Sequence, residues 1–409
     1  MEKDDEFLHG YFNFISQLCF DKAKEHVEKE KEANKSALNQ SLTWAMILAQ
    51  LQQIALAEKS YMEIGFLQNK NKGFLRKDNS LRAIYETIKY DMKKIEETSK
   101  QSQNDQKYAS IGLNIDQFLN ARMSLIDFYD KMYLNSANSI LRYNDMLQTI
   151  NILIQKNVDM FTDIRFTPIK AVFSLECSIL EQLFKALTEL QRLQFLPSLS
   201  LIHGAHTQLA AWENKIQNRE TWKLGFLKNN QLPALFQWHL KLKGAVLSKF
   251  SLFFHDTLAS QTSNNEMRQM CSKLHFDYYN KMASFQKKYD AVSVLFLSPS
   301  QVSCDTTDYE SFPVIVACPP RPPPIIDMIL KLIADFTTDL EIPDKVIFKY
   351  IVEDKYMFII TTLEPNIYLI ITFESKKTEK DTYITNFITD ICANLRCTKI
   401  FTGIKNHAK

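Results

Sequence analysis

The chain has 409 residues, 45% of them hydrophobic and 23% charged, with a formal net charge of +2. That composition supports two or three well-packed domains, and the near-neutral balance excludes the basic footprint of sequence-independent nucleic-acid binding. Seven scattered cysteines, an odd number with no CxxC, fit buried thiols in a reducing compartment better than a disulfide framework. The acidic start MEKDDEF shows neither a signal peptide nor a presequence. The expectation is a soluble cytosolic protein that meets a membrane only through partners.

From the start to about Tyr289, apolar residues recur at three and four, the period of helices. The pattern predicts helices near 5–33, 36–68, 80–99, 110–134, 137–160, 168–195, 198–221, 232–260 and 264–288. Pro168, Pro197 and Pro233 stand at helix starts, Ser263-x-x-Glu266 is a capping box, and 99–110 is a polar linker. Long helices with short joints pack as antiparallel bundles, with a division at the RFTPIK turn into 1–164 and 165–289.

The stretch Phe20 to Ser36, FDKAKEHVEKEKEANKS, carries five acids and five bases. Glu25 and Lys29 sit four apart, and Asp21/Lys24, Glu28/Lys31 and Glu32/Lys35 three apart, each pair contributing roughly 0.2–0.5 kcal/mol. This is the wet side of a helix. The uncharged run from Ser36 to Ala57 holds too many amides (Asn39, Gln40, Gln50, Gln52, Gln53) for a lipid-spanning helix and reads as a buried one. On the helix 110–134, Ile111, Ile115, Phe118, Leu119, Ile126, Tyr129 and Tyr133 share about 100° of arc, with Arg122 in its middle. A guanidinium there requires a carboxylate or carbonyl from a neighbouring helix, or marks a face that meets another protein.

After Asp290 the pattern changes. AVSVLFL (291–297) and PVIVA (313–317) read as strands, and Ile325 to Phe336 as a helix. KVIFKYIV (345–352), YMFIITTL (356–363) and IYLIITF (367–373) follow as strands joined too tightly for crossovers, hence an antiparallel meander. A last helix opens with Thr378-x-x-Asp381 and carries Ile384, Phe387, Ile388, Ile391 and Leu395. Nearly continuous apolar strands require cover on both sheet faces. The order β-β-α-β-β-β-α over 290–409 resembles the longin and roadblock type of domain. The whole is an α+β multidomain chain, with a helical-bundle region followed by a small α/β domain.

No GxxxxGK[ST], GxGxxG, GxSxG or HExxH occurs. His203-x-x-His206 lacks further ligands at suitable spacing and reads as polar contacts at a helix junction. Cys392 and Cys397 flank Arg396 but read as core thiols, and PPRPPP (319–324) reads as a stiff lead-in to a helix or, alternatively, as a polyproline ligand for a domain that reads PxxP segments. No catalytic residue, cofactor or metal ligand is assigned.

Five longer strings point elsewhere: FDKAKEHVEKEKEANKSA (20–37), ARMSLIDFYDKMY (121–133), FLPSLSLIHGAHTQL (195–209), LKLKGAVLSKFSLFFHDTLASQT (240–262) and FESKKTEKD (373–381). Together they closely resemble the KICSTOR subunit 2 family, in order from about residue 20 to the C-terminus. The resemblance implies a non-enzymatic scaffold that assembles with kaptin and a very large subunit. That complex holds the GATOR assembly at the lysosome and restrains TOR signalling when amino acids are scarce. It further implies partner contacts at Lys29, Lys31, Arg122, Phe373, Lys376 and Lys377. A rival expectation is a longin-module regulator acting directly on a small GTPase or in vesicle trafficking.

Overall fold

The computed structural model describes residues 3–35, 42–67, 80–101, 105–138, 140–217, 232–299, 314–321 and 324–407. The helical period becomes α1 (Lys3–Ser16), α2 (Phe20–Lys35), α3 (Leu42–Met62), α4 (Leu81–Gln101), α5 (Gln106–Asn138) and α6 (Tyr143–Asn157). It continues as α7 (Thr167–Gln191), α8 (Phe195–Gln217), α9 (Ala234–Phe253), α10 (His255–Gln261), α11 (Asn264–Ser272) and α12 (Tyr278–Lys288). Three predicted helices are broken: 5–33 at 17–19, 232–260 at Phe254, and 264–288 between α11 and α12. The polar linker is largely helical, because α4 runs on to Gln101 and α5 begins at Gln106. Parts of the predicted helices at 36–41, 68 and 218–221, and the middle of PPRPPP at 322–323, lie outside the described residues.

The break at 17–19 and the ends of α3 and α7 escape a search for glycine because large residues fill the left-handed position. Leu18, Ile64 and Leu193 have φ of 58°, 58° and 55°. Cys19 N–H donates to the Phe14 carbonyl (2.9 Å) and Gln194 N–H to that of Glu189 (3.0 Å), the closing bonds of helix ends usually built on glycine. A non-glycine residue there costs roughly 1–2 kcal/mol. Leu18 and Ile64 are buried, and a buried apolar side chain contributes about 1.5–3 kcal/mol in return.

At 33 residues α5 is the longest helix described, about 50 Å at 1.5 Å per residue. Around it one continuous apolar cluster extends from Phe7 to Ile404. The turn Ile164–Phe166 precedes α7, and the Phe166 ring lies 4.3 Å from that of Phe12 in α1.

The strands are β1 (Ser293–Leu297), β2 (Val314–Cys318), β3 (Val346–Ile351), β4 (Tyr356–Glu364) and β5 (Ile367–Phe373), in one antiparallel sheet ordered β2-β1-β5-β4-β3. Four helices accompany it: α13 (Ile326–Asp335), α14 (Thr337–Leu340), α15 (Thr382–Leu395) and α16 (Thr398–Gly403). Both faces are clothed. Leu295, Phe358, Ile360 and Ile370 pack with Ile329, Leu332 and Ile333 of α13. Phe296, Ile359, Leu369 and Ile371 join the large cluster with α15 and the helical body. The meander and the expected element order are present. The Thr378-x-x-Asp381 signature does not cap the last helix from its N-terminal side: Asp381 accepts from Thr378 N–H (2.8 Å), forming a turn before α15 begins at Thr382.

Helical body and sheet meet on buried charge. Lys249 of α9 donates to Glu364 Oε1 at the end of β4 (2.5 Å), and the Tyr143 hydroxyl donates to the same oxygen (2.8 Å). Lys249 and Glu364 are fully or almost fully buried. Glu364 Oε2 has no partner among the described residues, so this carboxylate leans on two donors. Nearby, Arg396 Nε donates to the Leu363 carbonyl (2.6 Å) and Nη2 to that of Thr362 (2.6 Å).

Removing one member of such a pair strands a buried charge, at about 3–5 kcal/mol. Lys249→Met is expected to lower the unfolding free energy in urea by that amount. Lys249→Met with Glu364→Leu should recover most of it, since no ion then remains unpaired.

Candidate functional site

The densest constellation of ionisable groups surrounds Arg122. Its Nη1 donates to Glu176 Oε2 (2.8 Å), while Nε (3.0 Å) and Nη2 (2.9 Å) reach Glu58 Oε2. The guanidinium carbon stands 4.4 Å from the Tyr61 ring centroid. Glu58 and Tyr61 are three apart on α3, and Arg122 and Tyr129 seven apart on α5, so each pair shares a helix side. Four helices thus supply the parts, with Tyr85 from α4 and Glu176 from α7. Tyr85 donates to Glu58 Oε1 (2.7 Å); Tyr61 (2.7 Å) and Tyr129 (2.8 Å) both donate to Glu176 Oε1.

Burial, and after it the neighbouring carboxylates, push all three phenols well above their ordinary range, which keeps them protonated donors. His239 of α9 borders the network. Its Nδ1 faces the Leu235 carbonyl (2.8 Å), an acceptor only, so Nδ1 carries the proton. Nε2 is 3.2 Å from the Tyr129 hydroxyl. Burial pulls the imidazole's pKa down, against the opposing pull of Glu176 and the Leu235 carbonyl.

Arginine, two carboxylates, tyrosines and a histidine are the ingredients of an active site, yet Arg122, Glu58 and Glu176 are 3%, 1% and 0% exposed. Every charged group is consumed by another. The arrangement locks α3, α4, α5, α7 and α9 together and presents no reacting atom to a substrate. Arg122 is therefore not a partner contact but an internal anchor, which corrects that expectation.

Phe373 is corrected likewise: at 1% exposure it belongs to the sheet core. Lys377 Nζ covers its ring at 5.1 Å, and Lys376 lies 4.8 Å over Tyr350 of β3. On α2, Lys29 is exposed, whereas Lys31 is half-buried and donates to Gln52 Oε1 of α3 (2.6 Å). The described contacts bring Phe373 and Lys377 together but link neither to α2. His203 and His206 both face solvent, and among the described residues no three His, Cys, Asp or Glu converge on a metal-sized space. Nor does any described helix have the length and apolarity to cross a membrane. A cleft of about 770 Å³ lies between body and sheet, bordered by Arg142, Tyr143, Glu341 and Glu364. Its buried carboxylate is already engaged by Lys249 and Tyr143.

A family model described as "KICSTOR complex C12orf66 like" matches residues 1–409. The chain belongs to the C12orf66-like family of KICSTOR complex proteins. It is 30% identical to KICSTOR subunit 2 of Xenopus laevis, over 99% of this chain and 97% of that one. Identity to KICSTOR subunit 2 of Danio rerio is also 30%, over 100% of this chain and 97% of the relative. This C12orf66-like chain thus spans nearly the whole of each relative, helical body and sheet included.

Two outcomes follow from the anchor. Arg122→Leu leaves Glu58 and Glu176 uncompensated in the core, an expected loss of about 3–5 kcal/mol in urea unfolding. Because burial lowers the His239 pKa below the value near 6.5 that it has when unfolded, unfolding takes up a proton as pH falls through that value. Stability is therefore present above about pH 6.5 and lost as pH falls through it, by up to about 1.4 kcal/mol per pH unit. His239→Gln should flatten that part of the slope, read from unfolding free energies at successive pH values between 7.5 and 5.5.

Proposed function

We propose that the chain is a non-enzymatic scaffold subunit of a KICSTOR-type complex. In this reading it assembles with a kaptin-like and a very large subunit and helps bring the GATOR assembly to the cytoplasmic surface of the lysosome. TOR signalling is thereby restrained when amino acids are scarce. The observation that carries the reading is the full-length similarity to KICSTOR subunit 2 of two vertebrates. The self-satisfied ionic centre around Arg122 supports the non-enzymatic part, since its groups are spent on one another. The exposed cations Lys29 and Lys376, with the less exposed Lys31 and Lys377 beside them, are the contact residues this reading retains.

The test is co-purification of the tagged full-length chain from amino-acid-starved cells. The expected result is recovery of the other complex subunits, with the tagged chain at lysosomes. Loss of lysosomal signal when the partner subunits are depleted would tie recruitment to them. The five-strand sheet in longin order supports a second reading, direct action on a small GTPase. Purified chain should leave nucleotide exchange and hydrolysis rates of Rag-type GTPases unchanged if the scaffold reading holds. Acceleration of either rate by the chain alone would favour the second.

The charge reversal Lys29→Glu with Lys31→Glu probes the α2 contact. We expect loss of complex recovery with an unfolding midpoint lowered only slightly, by the loss of the α2 charge pairs and of the Lys31–Gln52 bond, and retained recovery would assign α2 to solvent alone.

A further inference from the structure

The pair His203-x-x-His206 does not make the polar contacts expected of it. Both side chains are exposed on α8, and neither imidazole has a partner among the described residues. The other side of α8 packs Ser198, Ile202, Ala205, Leu209, Trp212 and Ile216 into the body. A helix buried on one side normally carries its charges on the other. From Leu193 to Trp212, however, the sequence has no Lys, Arg, Asp or Glu. Outward stand Leu196 and Leu199, 70% and 39% exposed, together with His203 and His206. Leu196, Leu199, His203, His206 and Ala210 follow one another at three, four, three and four, the seam spacing of paired helices.

Two imidazoles three apart lie on one side of a helix and supply half of the four ligands that zinc takes in a structural site. Among the described residues no third ligand converges on them, whereas a two-fold axis brings the same pair from a second copy. We propose that α8 pairs antiparallel with α8 of a second copy about an axis between His203 and His206, and that a zinc ion on this axis is held by both histidines of each chain. In this register Leu199 lies against Ala210 of the second copy. The charges agree with self-pairing. Glu213 and Lys215 are the only charged residues of α8, and antiparallel pairing sets those of the two copies at opposite ends, so no like charges meet. An acidic or basic segment of another protein finds no counter-charge on this face, and two leucines without a cation make a weak membrane anchor. The seam from Leu196 to Ala210 is about 21 Å long at 1.5 Å per residue and about 10 Å wide. That is far short of the roughly 1,200–2,000 Å² that stable interfaces bury, so the pairing depends on the metal and the metal site is incomplete without the second copy. The inference goes beyond the scaffold reading and does not rest on it.

The experiment is sedimentation velocity of the purified full-length chain, first in a chelator and then with zinc. We expect a monomer in the chelator and a dimer with zinc. Elemental analysis of the dimer should find one zinc per two chains beyond what His203→Ala with His206→Ala retains. That double variant should stay monomeric at the same zinc level. Leu199→Glu, which buries a carboxylate against Ala210 of the second copy, should raise the dimer dissociation constant at least tenfold at fixed zinc. In the chelator both variants should keep the parent unfolding midpoint, because all three side chains are exposed. A dimer that survives chelation, zinc held by the histidine pair in a monomer, or zinc-driven dimers indifferent to the histidines would each overturn the proposal. So would a chain that stays monomeric throughout.

Discussion

The helical body is organised by a single guanidinium. Arg122 enters an otherwise apolar arc of α5 and draws in one carboxylate from α3 and one from α7. Phenols from α3, α4 and α5 then occupy the remaining carboxylate oxygens. Burying these ions gains little net energy over an apolar core, because their desolvation offsets most of their attraction. Their effect is selective: of the ways apolar helices can slide past one another, only a register that brings all these donors and acceptors together avoids an unpaired buried charge. Hydrophobic burial makes the body compact, and the ionic centre makes it specific.

The same device recurs where the sheet joins the body. Tyr143 of α6 and Lys249 of α9 converge on Glu364 of β4, while Trp238 of α9 donates to the Ile400 carbonyl of α16 (2.9 Å). Around these bonds the packing is aromatic, with the Phe184 and Phe401 rings stacked at 5.7 Å and those of Phe285 and Phe387 at 4.0 Å. Polar groups set the orientation of the interface and rings fill it. The α/β module packs one face of its sheet against α15 and the helical body together.

Much of this was legible in the sequence because it depends on period. Apolar residues at three and four located most helices, and the unbroken apolar runs of β4 and β5 implied a sheet covered on both sides. The break after α1 and the ends of α3 and α7 were hidden because Leu18, Ile64 and Leu193 hold positions where glycine is the usual signal. Arg122 was conspicuous as a charge within an apolar arc. Its partner Glu176 carried a similar but fainter mark, as the lone charge in AVFSLECSIL, and so did Lys249 at the junction with the sheet, the lone charge in GAVLSKFSLFF. What one sequence does not contain is the pairing. That Glu58, Glu176 and Arg122 meet across 118 positions of chain is a property of tertiary packing, and the burial of Phe373 beneath Lys377 is another. Family resemblance carried the functional reading, which periodicity alone did not reach.

The unbroken apolar cluster from Phe7 to Ile404 has a practical corollary for anyone handling this molecule in pieces. A fragment ending near residue 289 would present Phe184, Trp238 and Lys249 to water, and the complementary fragment would present the α15 side of its sheet stripped of the helical body. Neither half inherits a finished surface, so behaviour seen in an excised portion reflects freshly exposed interior as much as native chemistry.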